Sequence, residues 1–308
     1  MDVREITCRG IINRTGGFLG GFTHTINPYH GCSFGRTLCG VPDYAPEIIR
    51  VFGEKREWGT YLSAKVNAPE RYVADYDRIR ASARSEMRIY MSSVTDPYVP
   101  QEKRLRITGR ILAAMRDRPP DRLALQTHTP NVLWDEDLVV DLSRRFAVTV
   151  QISVETDRES MGPDFPPHAY PVAARIAALK RLKDRGVQAV AVVAPLWPIE
   201  DVEEFARRLD AASTFVILDH YLIGDGSRDG VRTLRRIALA GTTLPNLLIR
   251  AGYEEWTRLD ALWRVRDVFE RVLGAARVGI SKEGFNRAAR FGGEPSQSGG
   301  CLPGPRRP

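Results

Sequence analysis

Cysteine is scarce in this chain, with four residues among 308, too few for a disulfide framework at this length. Cys8 and Cys301 stand in unrelated surroundings, and a reducing compartment is expected. Long apolar runs are missing too. No stretch approaches the roughly 18 uninterrupted apolar residues of a membrane-spanning helix. The opening Met1-Asp2-Val3-Arg4-Glu5 carries no apolar segment of a secretion signal. A cytoplasmic protein with no membrane partner is therefore expected. No His-Glu-x-x-His pair occurs, which removes one common metal-hydrolase reading. No self-similarity at periods of about 20 to 50 residues marks a solenoid.

What is present suits a globular chain of one large domain or two small ones, at 43% hydrophobic and 27% charged residues. The net charge of +7 is carried mainly by arginine and is compatible with a polyanionic partner such as nucleic acid. The arginine clusters are short: Arg144-Arg145, Arg207-Arg208, Arg232 through Arg236 and Arg306-Arg307. They are expected on solvated helix faces or in a loose end.

Short β-branched runs alternate with longer segments of helical period, the pattern of repeated βα units around a parallel sheet. The expected strands are Phe22 to Asn27, Arg88 to Val94, Arg122 to Thr127, Val148 to Val154, Gln188 to Ala194 and Thr214 to His220. Helices are expected over Glu102 to Arg116, Asp135 to Arg145 and Pro171 to Arg185, the last stopped by Gly186. The fold class is α/β: a partial (β/α)6 TIM-like barrel with a C-terminal helical extension and a disordered tail. The expected divisions are a lead-in over 1–21, the barrel over 22–225, the extension over 226–291 and the tail over 292–308. The extension holds a helix from about Glu254 to Leu273 and a further strand near Arg277 to Ile280. The tail is rich in glycine, serine and proline, a composition that cannot order itself by burial.

In such architectures reactive groups gather where strands end, at the carboxyl edge of the sheet. Here the second strand runs into Ser92-Ser93-Val94-Thr95-Asp96-Pro97-Tyr98, the third into Gln126-Thr127-His128-Thr129-Pro130 and the fourth into Ser153-Val154-Glu155-Thr156-Asp157. The sixth ends at Asp219-His220-Tyr221. Any one of these could cap a helix, but the set is expected to form a site. The following Gly224-Asp225-Gly226-Ser227-Arg228-Asp229-Gly230 lacks the lysine of a Walker loop and the closing glutamate of an EF-hand, and a surface turn before a helix is expected.

A glycine-rich loop follows the first strand: Asn27-Pro28-Tyr29-His30-Gly31-Cys32-Ser33-Phe34-Gly35-Arg36-Thr37-Leu38-Cys39-Gly40-Val41-Pro42-Asp43-Tyr44-Ala45. Together with the stretches ending at Asp96 to Glu102 and at Ser153 to Asp157, it resembles the radical S-adenosylmethionine (SAM) superfamily, in its spore photoproduct lyase-like branch. The resemblance spans about residues 10 to 225. It implies a [4Fe-4S] cluster held by three cysteines of the loop, with SAM on the remaining iron and an external reductant such as a ferredoxin or flavodoxin. It places Ser92, Ser93, Thr95 and Asp96 at the methionine end of SAM and Ser153 and Glu155 near its ribose and sulfonium, with Arg175 and Pro195 in family-like positions. Tyr98, His128, Asp219 and His220 are then candidates for substrate contact.

The loop departs from that family by one thiolate. On the spacing Cys-x3-Cys-x2-Cys the middle position is Arg36, which stays protonated and cannot ligate. On Cys-x6-Cys-x3-Cys followed by Tyr, Cys32 and Cys39 are kept and Asp43 stands third, before Tyr44; this alignment is preferred. A carboxylate is a harder ligand than a thiolate, yet an anion able to bind iron. The leading expectation is a radical SAM-type enzyme with Cys32, Cys39 and Asp43 as metal ligands and a labile cluster. The alternative is a degenerate, cluster-free relative acting as a binding or regulatory module, including on nucleic acid. A mononuclear zinc site from Cys32, Cys39, Asp43 and His30, and two cysteines merely buried in a turn, are further readings. Spore photoproduct lyases act on a thymine dimer and donate hydrogen from an additional cysteine; neither Cys8 nor Cys301 is placed for that role. The substrate is left open.

Overall fold

The computed structural model describes residues 1–41, 53–235 and 241–288. Asp43, the tail over 292–308 and Cys301 lie outside the described residues.

The chain opens with β1 (Asp2–Ile6) and β2 (Asn13–Arg14), followed by β3 (His24–Ile26), β4 (Tyr29–Gly31) and β5 (Tyr61–Lys65). Then come β6 (Arg88–Met91), β7 (Arg122–Thr127), β8 (Ala147–Ser153), β9 (Gln188–Val193), β10 (Phe215–Leu218) and β11 (Val278–Ile280). The main sheet runs β11-β10-β9-β8-β7-β6-β3-β2, and every pair in it is parallel except β2 against β3. All six strands expected for the barrel are in this sheet, in chain order, and the further strand near Arg277 joins it beside β10. The described strands do not close: β11 and β2 are its two edges. A second, smaller sheet, β1-β5-β4, pairs β1 parallel and β4 antiparallel to β5. β4 ends at Gly31, so this small sheet anchors the start of the cysteine loop.

The alternation of side chains along the strands sorts them into two interiors. Ile89, Met91, Leu123, Leu125, Ala189, Ala191, Val193, Val216 and Leu218 join the large core beneath the helices. Their neighbours Tyr90, Ala124, Val190, Val192, Phe215 and Ile217 point to the other face, where they meet Phe22 and Phe285. Burial on both faces explains the near-continuous apolar strand sequences.

The helices follow local chemistry. Val172–Asp184 buries Val172, Ala178, Leu179 and Leu182 and stops at Gly186, whose φ of +81° suits glycine. Val202–Ala212 starts at Asp201, whose carboxylate accepts the Glu203 and Glu204 N–H groups. The segment expected as one helix from Glu102 is broken at Arg106, with φ +53°. The Glu102 carboxylate explains the break, because it accepts N–H bonds from Ile107 and Gly109 at 3.1 Å each. The helix expected from Glu254 begins instead at Leu259, after a 3-10 turn over Glu254–Thr257, and buries Leu262, Val265 and Phe269.

Candidate cofactor and substrate site

The carboxyl ends of the parallel strands surround a cavity of about 500 Å³. Cys32 and Cys39 reach it from the loop, Ser92, Ser93, Thr95 and Asp96 from the end of β6, His128 from β7, Ser153 from β8, and Asp219 and His220 from β10. Glycine builds the loop that carries the thiols. A Cβ on Gly35 would stand 2.5 Å from Trp58 Cδ1, and one on Gly40 would stand 2.2 Å from the Gly35 carbonyl oxygen. The turn is therefore closed backbone against backbone. Thr37 Oγ1 lies 3.3 Å from Cys39 Sγ. Gly31-Cys32-Ser33-Phe34-Gly35 has the Gly-x-Ser-x-Gly spacing of a nucleophile elbow, but the Ser33 hydroxyl donates to Gln101 Oε1 at 2.7 Å, and the segment leads into turns rather than a helix. Among the described residues no group of three His, Cys, Asp or Glu side chains gathers to hold a metal.

The turn after β6 is held by Asn27, whose side-chain oxygen accepts the Ser93 and Val94 N–H groups at 3.0 and 3.3 Å. Ser92 adopts φ +72° there, and its buried hydroxyl has no hydrogen-bond partner among the described residues. Asp96 is saturated: it accepts from the Tyr98 N–H, the His128 N–H and the Thr127 hydroxyl. It acts as the brace between the ends of β6 and β7.

His128 lines the cavity, and Glu155, which does not, stands 3.7 Å from its ring. Burial pulls the His128 pKa down, but the hydrogen bond and charge of Asp96, 3.5 Å away, and the charge of Glu155, 3.7 Å away, outweigh it and raise the value. Burial pushes Glu155 up, and the positive charges of Arg175 and His128 overcome that and lower it. Arg175 Nη1 donates to Glu155 Oε2 at 2.6 Å and to the Ser153 carbonyl at 2.8 Å. Its Nη2 meets His168 Nδ1 at 3.1 Å, so His168 accepts there and donates from Nε2 to the Arg158 carbonyl. Glu155 Oε1 keeps no hydrogen-bond partner among the described residues.

Of the expected substrate contacts, Tyr98 stands off the cavity and His220 lines it with its ring nitrogens engaged. Tyr98 is fully buried, its hydroxyl 3.2 Å from Asp135 Oδ2, within a polar cluster that also contains Arg106, Glu102 and Tyr29. Burial, then the charges of Asp135 and Glu102, push its hydroxyl well above the ordinary value. The His220 ring lies on the cavity wall, but both nitrogens are engaged: Nδ1 accepts the Leu222 N–H and Nε2 donates to the Trp256 carbonyl. Burial lowers its pKa, and the ring is a neutral cap on the Tyr221–Gly224 turn. Asp219 does face the cavity and is pushed up to about 7, chiefly by burial, with the Asp225 charge adding and the Ser281 hydroxyl and His220 N–H opposing.

Other wall residues are not expected from the sequence. Gly16, Gly17, Phe18 and Leu19 line the cavity from the lead-in, and Arg232, Thr233 and Phe285 are further lining residues, together with Asp225. The expected surface turn before a helix is present, with Gly226, Arg228 and Asp229 exposed, but Asp225 within it is 3% exposed and faces inward. Its polarity is internal: Oδ1 accepts from the Ser227 N–H and hydroxyl, and Oδ2 from the Thr233 N–H.

No protein-family model matches the chain. An uncharacterized protein of Methanocaldococcus jannaschii is 28% identical over 66% of this chain and 71% of its own length. An uncharacterized protein of Acidianus two-tailed virus is 28% identical over 49% of this chain, which spans about half (47%) of that relative. Among solved structures, a spore photoproduct lyase variant aligns with a TM-score of 0.55 and 14% identity, over 90% of this chain and 81% of that one. A variant of the same enzyme with bound AdoMet and dinucleoside spore photoproduct gives a TM-score of 0.53 at 14% identity over the same shares. The likeness to these structures is one of fold.

Proposed function

We propose that this chain is a radical SAM-type enzyme that uses S-adenosylmethionine beside an iron–sulfur cluster to take hydrogen from a substrate. One observation carries the reading: the loop thiols and the polar ends of consecutive parallel strands converge on a single cavity, in a sheet similar to that of spore photoproduct lyase. Cys32 and Cys39 would hold cluster iron through sulfur, and in this reading Asp43 supplies the third donor. When bound and reduced, the cluster supplies the electron that cleaves S-adenosylmethionine to a 5′-deoxyadenosyl radical. An external reductant such as a ferredoxin or flavodoxin is the partner that this chemistry requires.

The fit to the cofactor rests on unmet polar atoms. The Ser92 hydroxyl, buried and unpartnered among the described residues, suits the amino and carboxylate end, flanked by Ser93, Thr95 and Asp96. Glu155, whose ionised form Arg175 and His128 favour, is not on the cavity lining, and in this reading its charge acts on the sulfonium and ribose side from beyond Ser153 and His128, which line it. Arg175 thus acts by positioning Glu155. His128 and Asp219 remain the substrate-facing candidates, while Tyr98 and His220 hold the frame. Nucleic acid is one substrate class that the net charge of +7 favours.

The test is iron and acid-labile sulfide content after anaerobic reconstitution of the wild type, Asp43→Ala and Asp43→Cys. Cluster loss in the first variant and a longer-lived cluster in the second are expected, with 5′-deoxyadenosine formed on adding dithionite and S-adenosylmethionine. Absence of stoichiometric iron in all three proteins would instead identify a cluster-free binding module.

A further inference from the structure

One pole of the cavity is not used by the cofactor reading. It is formed where β10 ends and the chain turns through Gly224 and Asp225 into the Val231–Arg235 helix. Two buried side-chain atoms there, Asp219 Oδ1 and Thr233 Oγ1, have no hydrogen-bond partner among the described residues. Both residues line the cavity, at 5% and 1% exposure. Leaving such atoms unmet is costly, because desolvation is suffered without a compensating bond.

The Ser281 hydroxyl and the His220 N–H favour the Asp219 carboxylate, but Oδ1 keeps no hydrogen-bond partner among the described residues. The Asp225 carboxylate accepts from the Ser227 N–H and hydroxyl and from the Thr233 N–H, and both His220 ring nitrogens are engaged. Arg232 lines the same pole, its Nη1 3.3 Å from the Asp225 carbonyl. The cavity walls include Phe18, Leu19 and Phe285, an apolar and aromatic surface.

We propose that this pole is a subsite for a carboxamide-type group on an apolar or aromatic body, its N–H donating to Asp219 and its carbonyl accepting from the Thr233 hydroxyl. A planar group carrying a donor beside an acceptor offers one partner to each kind of unmet atom. Gly224 sets the position of the carboxylate: a methyl there would stand 1.9 Å from Asp219 Oδ2. The inference deepens the substrate side of the reading above, and rests on it only in giving the Ser92–Asp96 end of the cavity to the cofactor.

The test therefore needs neither iron nor S-adenosylmethionine. Calorimetric titration of the full chain would use benzamide, N,N-dimethylbenzamide, which has no N–H, and benzylammonium. Saturable benzamide binding is expected, about tenfold weaker for the dimethyl compound and for Thr233→Val, one lost hydrogen bond each. Asp219→Ala and Gly224→Ala should weaken it at least as much, and the near-isosteric Thr233→Val keeps the test valid if either of them misfolds. Absence of saturable benzamide binding, equal affinity for the two amides, or tighter binding of benzylammonium would overturn the proposal. Benzamide binding by a protein that takes up no iron would sink the radical reading and leave the subsite standing.

Discussion

At Asp219 the carboxyl is pushed up to about 7, first by burial and then by the Asp225 charge. A carboxyl whose folded value is raised binds more protons folded than unfolded, so the stability it contributes is complete below the ordinary value of 3.8 and is lost as pH rises through about 7. Asp219→Asn removes the charge without removing the bulk. The variant is expected to match the wild type near pH 4 and to gain on it up to about pH 7, by on the order of a few kcal/mol, levelling off above. Urea unfolding of both proteins across that range measures it, and a pH-independent gap would show that Asp219 does not titrate as described. The same residue illustrates what a strand end can conceal. Asp219 and His220 are neighbours in sequence, yet one side chain faces the cavity with an unmet oxygen, while the other spends both nitrogens on backbone groups. Residue type is identical evidence for both positions; only the partners separate them.

The cysteine loop is an element whose shape depends on glycine for space rather than for flexibility. Gly40→Ala would force a Cβ to within 2.2 Å of the Gly35 carbonyl oxygen, and backbone cannot yield as a side-chain tip can. We expect this substitution to open the turn and lower the reconstituted iron content. Leucine-rich helices remote from the loop should keep their far-UV circular dichroism. A full iron load in Gly40→Ala would remove the loop's tight closure from the argument for cluster binding. Among the regular elements, the parallel strands are legible because burial on both faces makes runs such as the five residues after Gln188 in β9 apolar throughout. The small sheet is not. β4 is only Tyr29–Gly31, and β1 is mostly exposed and polar, Asp2–Ile6, so neither offers the periodic burial from which a strand is read. The helix break at Arg106 is hidden for a similar reason: Glu102 reads as an ordinary helix former until its carboxylate is seen accepting from the N–H groups of Ile107 and Gly109.

For the molecule as a whole, the two ends of the described chain meet across the inner face of the sheet. Phe18 packs edge-on against Phe285 with centroids 5.5 Å apart, and the Gly21 N–H donates to Asn286 Oδ1 at 2.7 Å. Both aromatic residues line the cavity, so its closure depends on contacts between positions more than 260 residues apart. A double-mutant cycle of Phe18→Ala and Phe285→Ala is expected to give a coupling of about 0.5–1.5 kcal/mol in urea unfolding. Additive effects would mean that the lead-in and the Ser281–Ala288 helix close the cavity independently.

The order of apolar runs and helical periods determined the parallel α/β sheet, and the clustering of Ser, Thr, Asp, Glu and His at strand ends determined which edge of it carries the polar groups. Those are properties of local pattern, since burial and periodicity are written residue by residue. Which polar groups are spent on the fold and which are left to meet a ligand was decided only in three dimensions. The unmet atoms of Ser92, Glu155, Asp219 and Thr233 and the walls from Phe18 and Phe285 depend on what the fold brings beside them, while Asp225 turns onto its near neighbours Ser227 and Thr233. Hydrogen bonding and desolvation act through space, and a sequence records no distances.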